Sequence, residues 1–529
     1  MGILMFLLII LSDYSGGRFI LPPSSQIPLT KFPFFGGWLI QPLSFRLIRI
    51  LPEQINLSAN SILQEHHLSS VEQLIEKARI AQQIYENYDQ GVVDEVVTAV
   101  AWALIEPGRN RELSQMAVET TGLGKIEDKI LKNERKTLGL LRDLRGAKSV
   151  GVISEDEELG ITEIARPVGV VAAVTPSTNP VATPTNNTLN ALKGRNAIII
   201  APSPAGEKVC SRLLRYFHEE LRRIGAPVDL IQQLPSPVDK IRTLELMKLA
   251  DWLIVTGSQS NVRAAYSSGT PAIGVGAGNV TVIVDETADL DAAAIKIMKS
   301  KTFDHATSCS SENALVVVDQ IYDTFLEKLG DCGGRLLDEQ EKQTLQDSLW
   351  VNGKLNRQML ARDAEILCQV TDLKRNETTE TKFLMVEESG IGPDYPFSGE
   401  KLSPVLSVYR ASDFEEAQQT ALKILNHQGK GHSIGLHSSL EKRALKLGLE
   451  LPVCRVIVNQ AHCFATGGGF ENGLPFSLSM GCGSWGENSI DDNLNYRHFL
   501  NITRIARPIA SREVTVEEMF TEYRSRYGL

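Results

Sequence analysis

Gly169-Val170-Val171-Ala172-Ala173-Val174-Thr175-Pro176 is a continuous apolar run that stops at a threonine and a proline, and its reading decides the fold. A short apolar run without polar alternation fits a strand buried on both faces, as in a parallel sheet flanked by helices. The pattern then repeats. A helix is expected over 184–192 and a second buried strand over 197–201, then helix 206–223, strand 229–234 and a helix around 241–249. Strand 252–255, the turn Thr256-Gly257-Ser258, helix 262–268 and strand 272–275 continue the cycle. Strands and helices alternating on short turns predict an α/β fold with a doubly wound parallel sheet. Such sheets bind ligands at the carboxyl ends of their strands.

Upstream of this run, Val71, Ile75, Ala78, Ala81 and Tyr85 recur at helical spacing, and 92–105 reads as a second helix, so a helical layer must pack on the sheet. Residues 1–65 do not share this regularity. Ile3 to Leu11 is an apolar run of nine residues, too short to span a bilayer and without the basic flank or Ala-x-Ala site of a signal peptide. Pro22, Pro23, Pro33, Phe34, Phe35, Gly36 and Gly37 follow without a period, and no methionine lies between Met5 and Met116. This segment is set apart as an unexplained extension, disordered or ahead of the true start.

Composition excludes several classes. The chain has 529 residues, 43% of them hydrophobic, enough for large buried cores. With 64 acidic against 54 basic residues the net charge is -10, and no dense Lys/Arg run interleaves with aromatics, so nucleic acid is not expected as a partner. No membrane partner is expected either. The seven cysteines, Cys210, Cys309, Cys332, Cys368, Cys454, Cys463 and Cys482, are far apart and lack metal-binding spacing. They read as reduced thiols of a cytoplasmic protein without a metal site.

Cys309 lies in Phe303-Asp304-His305-Ala306-Thr307-Ser308-Cys309-Ser310-Ser311-Glu312, between a helix expected over 290–300 and a buried strand over 314–318. A lone cysteine is ordinarily a small apolar core residue, so the rest of a site must be found. Two glycine-bearing turns are candidates. Gly274-Val275-Gly276-Ala277-Gly278 looks like a dinucleotide fingerprint, but β-branched residues 280–284 follow it, not the helix whose N-terminus would hold a pyrophosphate. Thr256-Gly257-Ser258 does join a strand to a helix, where amides and hydroxyls could receive phosphate oxygens or merely cap the helix.

Taken in order, Thr175-Pro176-Ser177-Thr178-Asn179-Pro180, Ala201-Pro202-Ser203, Thr256-Gly257-Ser258, Pro271 to Asn279, Thr307-Ser308-Cys309 and Glu400-Lys401-Leu402-Ser403-Pro404-Val405 resemble the aldehyde dehydrogenase superfamily. The resemblance runs from about Leu68 to the C-terminus and is closest to the CoA-acylating branch. Within it, 303–313, 469–475 and 479–486 are most similar to acylating sulfoacetaldehyde dehydrogenases. It implies a Rossmann-type cofactor domain over 68–288, a second α/β catalytic domain over 289–460 that carries Cys309, and a segment 461–529 that packs back on the first domain and forms an oligomer interface. Residues 422–426 and the strand 454–458 are assigned to the second sheet.

The resemblance also implies roles. Cys309 attacks the aldehyde carbon, and its thiolate must be stabilised by local dipoles or a cation such as the nicotinamide ring. Asn179 is the expected oxyanion donor, although an ungapped match to the hydrolytic branch places Thr178 there and a turn amide is the structural alternative. Hydride transfer leaves a thioester on Cys309. Hydrolytic members activate water with a Glu, whereas 274–278 has no acid, which favours coenzyme A as acceptor and an acyl-CoA product. Run backwards, the same site is an acyl-CoA reductase.

Cofactor contacts are expected at Thr175, Pro176, Ser203, Thr256, Gly257, Ser258, Gly274, Gly276 and Glu400, the last toward the nicotinamide ribose, with Pro404 four residues on as the motif requires. No acid stands beside Ser203, so NADP is permitted as well as NAD. Lys208 reads as a solvated helix lysine, with contact to a 2′-phosphate as the alternative. A sulfonate substrate would need cations near Cys309, for which His305, His462, Arg497 and His498 are candidates. Acetaldehyde or another short-chain aldehyde stays open as substrate. The non-enzymatic alternative is a shell-associated scaffold, which the uniformly apolar 1–12 does little to support. A homodimer or homotetramer is implied by resemblance alone.

Overall fold

The computed structural model describes residues 69–371 and 380–529, so the extension expected over 1–65 lies outside the described residues. Ser69 opens the first helix, Ser70–Tyr85, by accepting from the Glu72 amide while Glu72 reaches back to the Ser69 N–H, a reciprocal cap. Gln90–Ile105, Pro107–Thr121 and Ile126–Leu144 complete the helical layer. The apolar stripe of the first two packs on the sheet that follows, and Val71, Ala78, Tyr85, Val93, Val100 and Leu104 share one core with Val170 to Ala173.

That sheet has five parallel strands in the order Ile231–Gln233, Ala197–Pro202, Val170–Thr175, Trp252–Val255, Ala272–Gly274. Val170–Thr175 of the opening run is its central strand, and every residue of that strand is buried. The chain winds first to one side and then jumps to the other, so strand order reverses between Val170–Thr175 and Trp252–Val255. A crevice at that switch point opens beyond Thr175 and Thr256. The helix Ala182–Lys193, buried throughout, covers one face.

The second sheet has seven parallel strands, ordered Gly334–Leu336, Phe383–Glu387, Val405–Ala411, Glu312–Val318, Val280–Val284, Ile434–His437, Val456–Val458. One neighbour pair matters most for the site: Val280 stands opposite Glu312 at the amino edge. The chain thus crosses between sheets within Val275 to Asn279, and Val280–Val284, which the boundary at 288 left in the cofactor domain, is a strand of the second sheet. Residues 422–426 also depart from expectation. They are the end of the helix Phe414–His427, where Ala417, Ala421, Ile424 and Leu425 recur at helical spacing in the buried face. A short apolar run does not tell strand from helix until its longer period is counted.

After Val456–Val458 the chain returns to the first sheet. Phe476, Leu494 and Phe499 enter its core, Asn196 Nδ2 donates to the Phe499 carbonyl at 2.8 Å, and Leu500–Ala506 pairs antiparallel with Ile161–Pro167 in a separate three-stranded sheet completed by Gly151–Asp156. Arg455 Nε donates to Asn493 Oδ1 at 2.8 Å, so the same segment is tied to the second sheet. Among the described residues no helix is long and apolar enough to cross a membrane.

Candidate active site

The two sheets meet edge to edge, the carboxyl edge of the first facing the amino edge of the second, and the crossover passes between them. Because Val280 is registered with Glu312, Gly278 lies alongside Cys309, three residues before that strand's first residue. The approach is so close that a Cβ on Gly278 would stand 2.1 Å from the Cys309 carbonyl oxygen and 2.9 Å from its Cβ. The glycine run therefore exists to let backbone approach the cysteine. Gly276 does the same for Cys482, whose Sγ would be 2.9 Å from an added Cβ.

Cys309 is half-buried, and its thiol is pushed up to about 12 by loss of water and by the nearby Glu400 and Cys482. The Ser310 hydroxyl and the backbone at Cys309 act in the opposite direction. The ligand-free protein holds a thiol, and a nearby positive charge is required to draw out the thiolate.

The backbone leading to Cys309 is strained. Asp304, His305 and Ala306 take φ of 50°, 49° and 58°, three successive left-handed residues without a glycine, each costing roughly 1–3 kcal/mol. Asp304 anchors the turn. Fully buried, it accepts from the Lys125 amide at 2.8 Å, Lys129 Nζ at 3.0 Å, Lys132 Nζ and Thr307 Oγ1 at 2.7 Å, while its own N–H donates to Asp128 Oδ2. Burial alone would raise this carboxyl, but Lys132 and Lys129 overcome it and hold it at about 2. Asp304→Asn is expected to lower stability by about 3–5 kcal/mol at pH 7, because two buried cations lose their counter-charge. The carboxylate's contribution is present above its ordinary value of 3.8 and is lost as pH falls toward about 2, so urea unfolding should show the gap between variant and wild type closing over that window.

Lys132 also reaches the site. Its Nζ donates to Asn179 Oδ1 at 2.8 Å and to Thr307 Oγ1 at 3.0 Å. With its oxygen engaged, the Asn179 amide is oriented so that Nδ2 is the group left to donate. Asn179 and Ser308 line one cavity, so the structure brings that donor beside the cysteine loop. The Asn179 carbonyl accepts from the Thr183 amide in the first turn of the buried helix, whose dipole favours negative charge there.

The residues expected to hold a dinucleotide gather at the carboxyl edge of the first sheet. Ser203 N donates to the Thr175 carbonyl, Thr256 N to the Val174 carbonyl and Val275 N to the Val255 carbonyl, so adjacent strand ends are level. Thr175 Oγ1 is buried without a hydrogen-bond partner, and a Cβ on Gly257 would meet nothing closer than 4.0 Å, features that fit a ligand lying across this edge. Pro176 follows Thr175 at the same rim. Ser203 accepts from Gly206 N at 3.3 Å and Ser258 from Asn261 N at 3.4 Å as helix caps. The amides of Gly274 and Gly276 are not available to phosphate: they donate to Tyr266 Oη and Asn488 Oδ1, each at 3.0 Å. Glu400 sits across the crevice, its carboxyl raised to about 8 by burial, against the pull of Lys301 and Lys401.

None of the four residues expected to face a sulfonate lines the cavity beside Asn179. His462 is buried, with Nδ1 3.0 Å from the Ser310 carbonyl, and burial pushes it down to about 4, so it is neutral. His305 pairs with Asp363 at 3.4 Å, His498 with Asp492 at 2.9 Å, and Arg497 lies over the Tyr496 ring. The cations that do line it are Lys132, Arg135 and Lys136 of Ile126–Leu144. Their signal was present: Lys129, Lys132 and Lys136 share one helical face, but such a stripe ordinarily reads as a solvated surface.

Residues 61–341 match the model of the aldehyde dehydrogenase family. A sulfoacetaldehyde dehydrogenase (acylating) of Cupriavidus necator is 56% identical over 87% of this chain and 93% of its own length. A second protein of that name, from Bilophila wadsworthia, is 40% identical over 87% of this chain and all of its own. Among solved structures, an acetylating aldehyde dehydrogenase from Geobacillus thermoglucosidasius superimposes with a TM-score of 0.80 at 37% identity, covering 87% of this chain and 99% of that one.

Proposed function

This chain belongs to the aldehyde dehydrogenase family, and on that footing we propose that it oxidises sulfoacetaldehyde with NAD or NADP and passes the acyl group through Cys309 to coenzyme A. It is an acylating oxidoreductase. The observation that carries the roles proposed for its residues is the contact of Gly278 with Cys309, which places an acid-free backbone where a hydrolytic enzyme would keep a general base.

The Cys309 thiolate attacks the aldehyde carbon, forming a C–S bond and an oxyanion. The Cys309 N–H and Asn179 Nδ2, the latter steered by Lys132, are the donors proposed for that oxygen. A bound oxidised nicotinamide dinucleotide supplies the hydride acceptor. Loss of hydride leaves a thioester on Sγ, and without a carboxylate at 274–278 water is a poor acceptor. The thiol of coenzyme A, as thiolate, displaces Cys309 and leaves as acyl-CoA. Thr175, Pro176, Ser203, Thr256, Gly257, Ser258 and Glu400 are the residues proposed to hold the dinucleotide. Gly274 and Gly276 instead shape the crevice. The exposed strand Leu500–Ala506 and helix Val516–Tyr527 favour a homo-oligomer.

Steady-state kinetics with sulfoacetaldehyde and acetaldehyde, each with coenzyme A and both nicotinamide cofactors, test the substrate. The expected outcome is a kcat/KM at least about tenfold higher for sulfoacetaldehyde, the scale of one charge-assisted contact. Turnover of acetaldehyde alone would contradict the reading.

A further inference from the structure

Resting on sulfoacetaldehyde as substrate, we infer that Lys136 and Arg135 bind its sulfonate, and that this pair sets the preference for an anionic aldehyde. The cavity next to Ser308 and Asn179 has aromatic walls from Phe303, Phe464 and Phe476 and three cations along one side. Their charges are not balanced alike. Lys132 is paired with Asp304, whose single charge also serves Lys129. Lys136 Nζ donates only to backbone carbonyls, Gly467 at 2.6 Å and Gly468 at 3.4 Å, and lies 5.4 Å from the centre of the Phe476 ring. Arg135 is held between Phe464 and Phe470, 5.6 and 5.3 Å from their centres. Among the described residues neither has a carboxylate at ion-pair distance.

Two cations in a partly dry, aromatic-walled cavity, with no counter-ion, make a site that lacks a negative charge. Loss of water lowers the Lys136 ammonium to about 8, so it is still a cation at neutral pH. A sulfonate is ionised throughout the accessible range and offers three acceptor oxygens to an ammonium and a guanidinium fork. The cavity also holds Asn179 and Ser308, so a two-carbon aldehyde anchored by its sulfonate would present its carbonyl toward Cys309. An uncharged aldehyde gains nothing from these cations.

The test is the ratio of kcat/KM for sulfoacetaldehyde to that for acetaldehyde in wild type, Lys136→Met, Lys136→Arg and Arg135→Gln. The ratio should fall about 30–100-fold in Lys136→Met and about tenfold in Arg135→Gln, mainly through KM, and Lys136→Arg should restore most of it. Equal losses on both substrates would make the residues structural and overturn the assignment. Arg135 is half-exposed, so its variant keeps the question answerable if Lys136→Met does not fold. A wild type that fails to use sulfoacetaldehyde overturns the substrate reading itself. A wild type that prefers it, with variants that keep the preference, overturns only the role of the two cations.

Discussion

Cys309→Ala is expected to lower NAD(P)H formation by about 10⁴-fold or more while leaving the thermal unfolding midpoint within a few degrees of wild type. The size of the effect follows from what the sulfur does: it forms the bond that activates the aldehyde, and it carries the acyl group afterwards. Little stability is at stake, because the thiol is half-buried and sits in a turn, not in a strand core. Stopped-flow absorbance at the reduced-nicotinamide band measures the loss. Cys482 is the control, since it also neighbours the crevice but is buried against Gly276 and Gly486. Cys482→Ala should retain most of the turnover, and equal losses in the two variants would undo the assignment of the nucleophile.

Gly278→Ala is expected to cost about 100-fold in kcat, a loss typical of a reacting atom displaced by about an ångström. A methyl group there would meet the Cys309 carbonyl oxygen at 2.1 Å, and a backbone atom cannot swing away as a side chain can. The cysteine loop must move, and with it the Cys309 N–H proposed as an oxyanion donor. KM for coenzyme A should change less than kcat. Gly278 has no positive φ, so the effect is one of close approach and not of backbone freedom. Wild-type kcat in this variant would show that the crossover does not position the nucleophile.

The strands were legible because a parallel sheet buried on both faces leaves uninterrupted apolar runs. Trp252–Val255 and Val280–Val284 begin and end at the residues the pattern marks. The residues expected at the carboxyl edge were implied by the family resemblance, and Asn179 and Ser308 line one cavity. Other parts of the site were not legible. The strand after 274–278 argued against a dinucleotide fingerprint, yet Gly274 and Gly276 were still expected at the cofactor although their amides are engaged by Tyr266 and Asn488. The contact of Gly278 with Cys309 depends on the Val280–Glu312 register, which no local pattern encodes. In the Lys129, Lys132 and Lys136 stripe the first two face inward against Asp304, far along the chain, and Lys136 faces the carbonyls of Gly467 and Gly468, more distant still. Conversely, His305, His462 and His498 were attractive for their chemistry, and His305 also for its nearness in sequence to Cys309, yet each is already paired or buried as a neutral ring.

The central claim is that Cys309 carries an acyl group which coenzyme A, not water, removes. Mixing the enzyme with sulfoacetaldehyde and oxidised nicotinamide cofactor in the absence of coenzyme A, then quenching and measuring intact mass, tests it directly. One equivalent of reduced cofactor per active site should form rapidly, with a sulfoacetyl adduct on the peptide containing Cys309, and added coenzyme A should discharge it as sulfoacetyl-CoA. Continuous turnover to the free acid without coenzyme A, or an adduct on another residue, would contradict it.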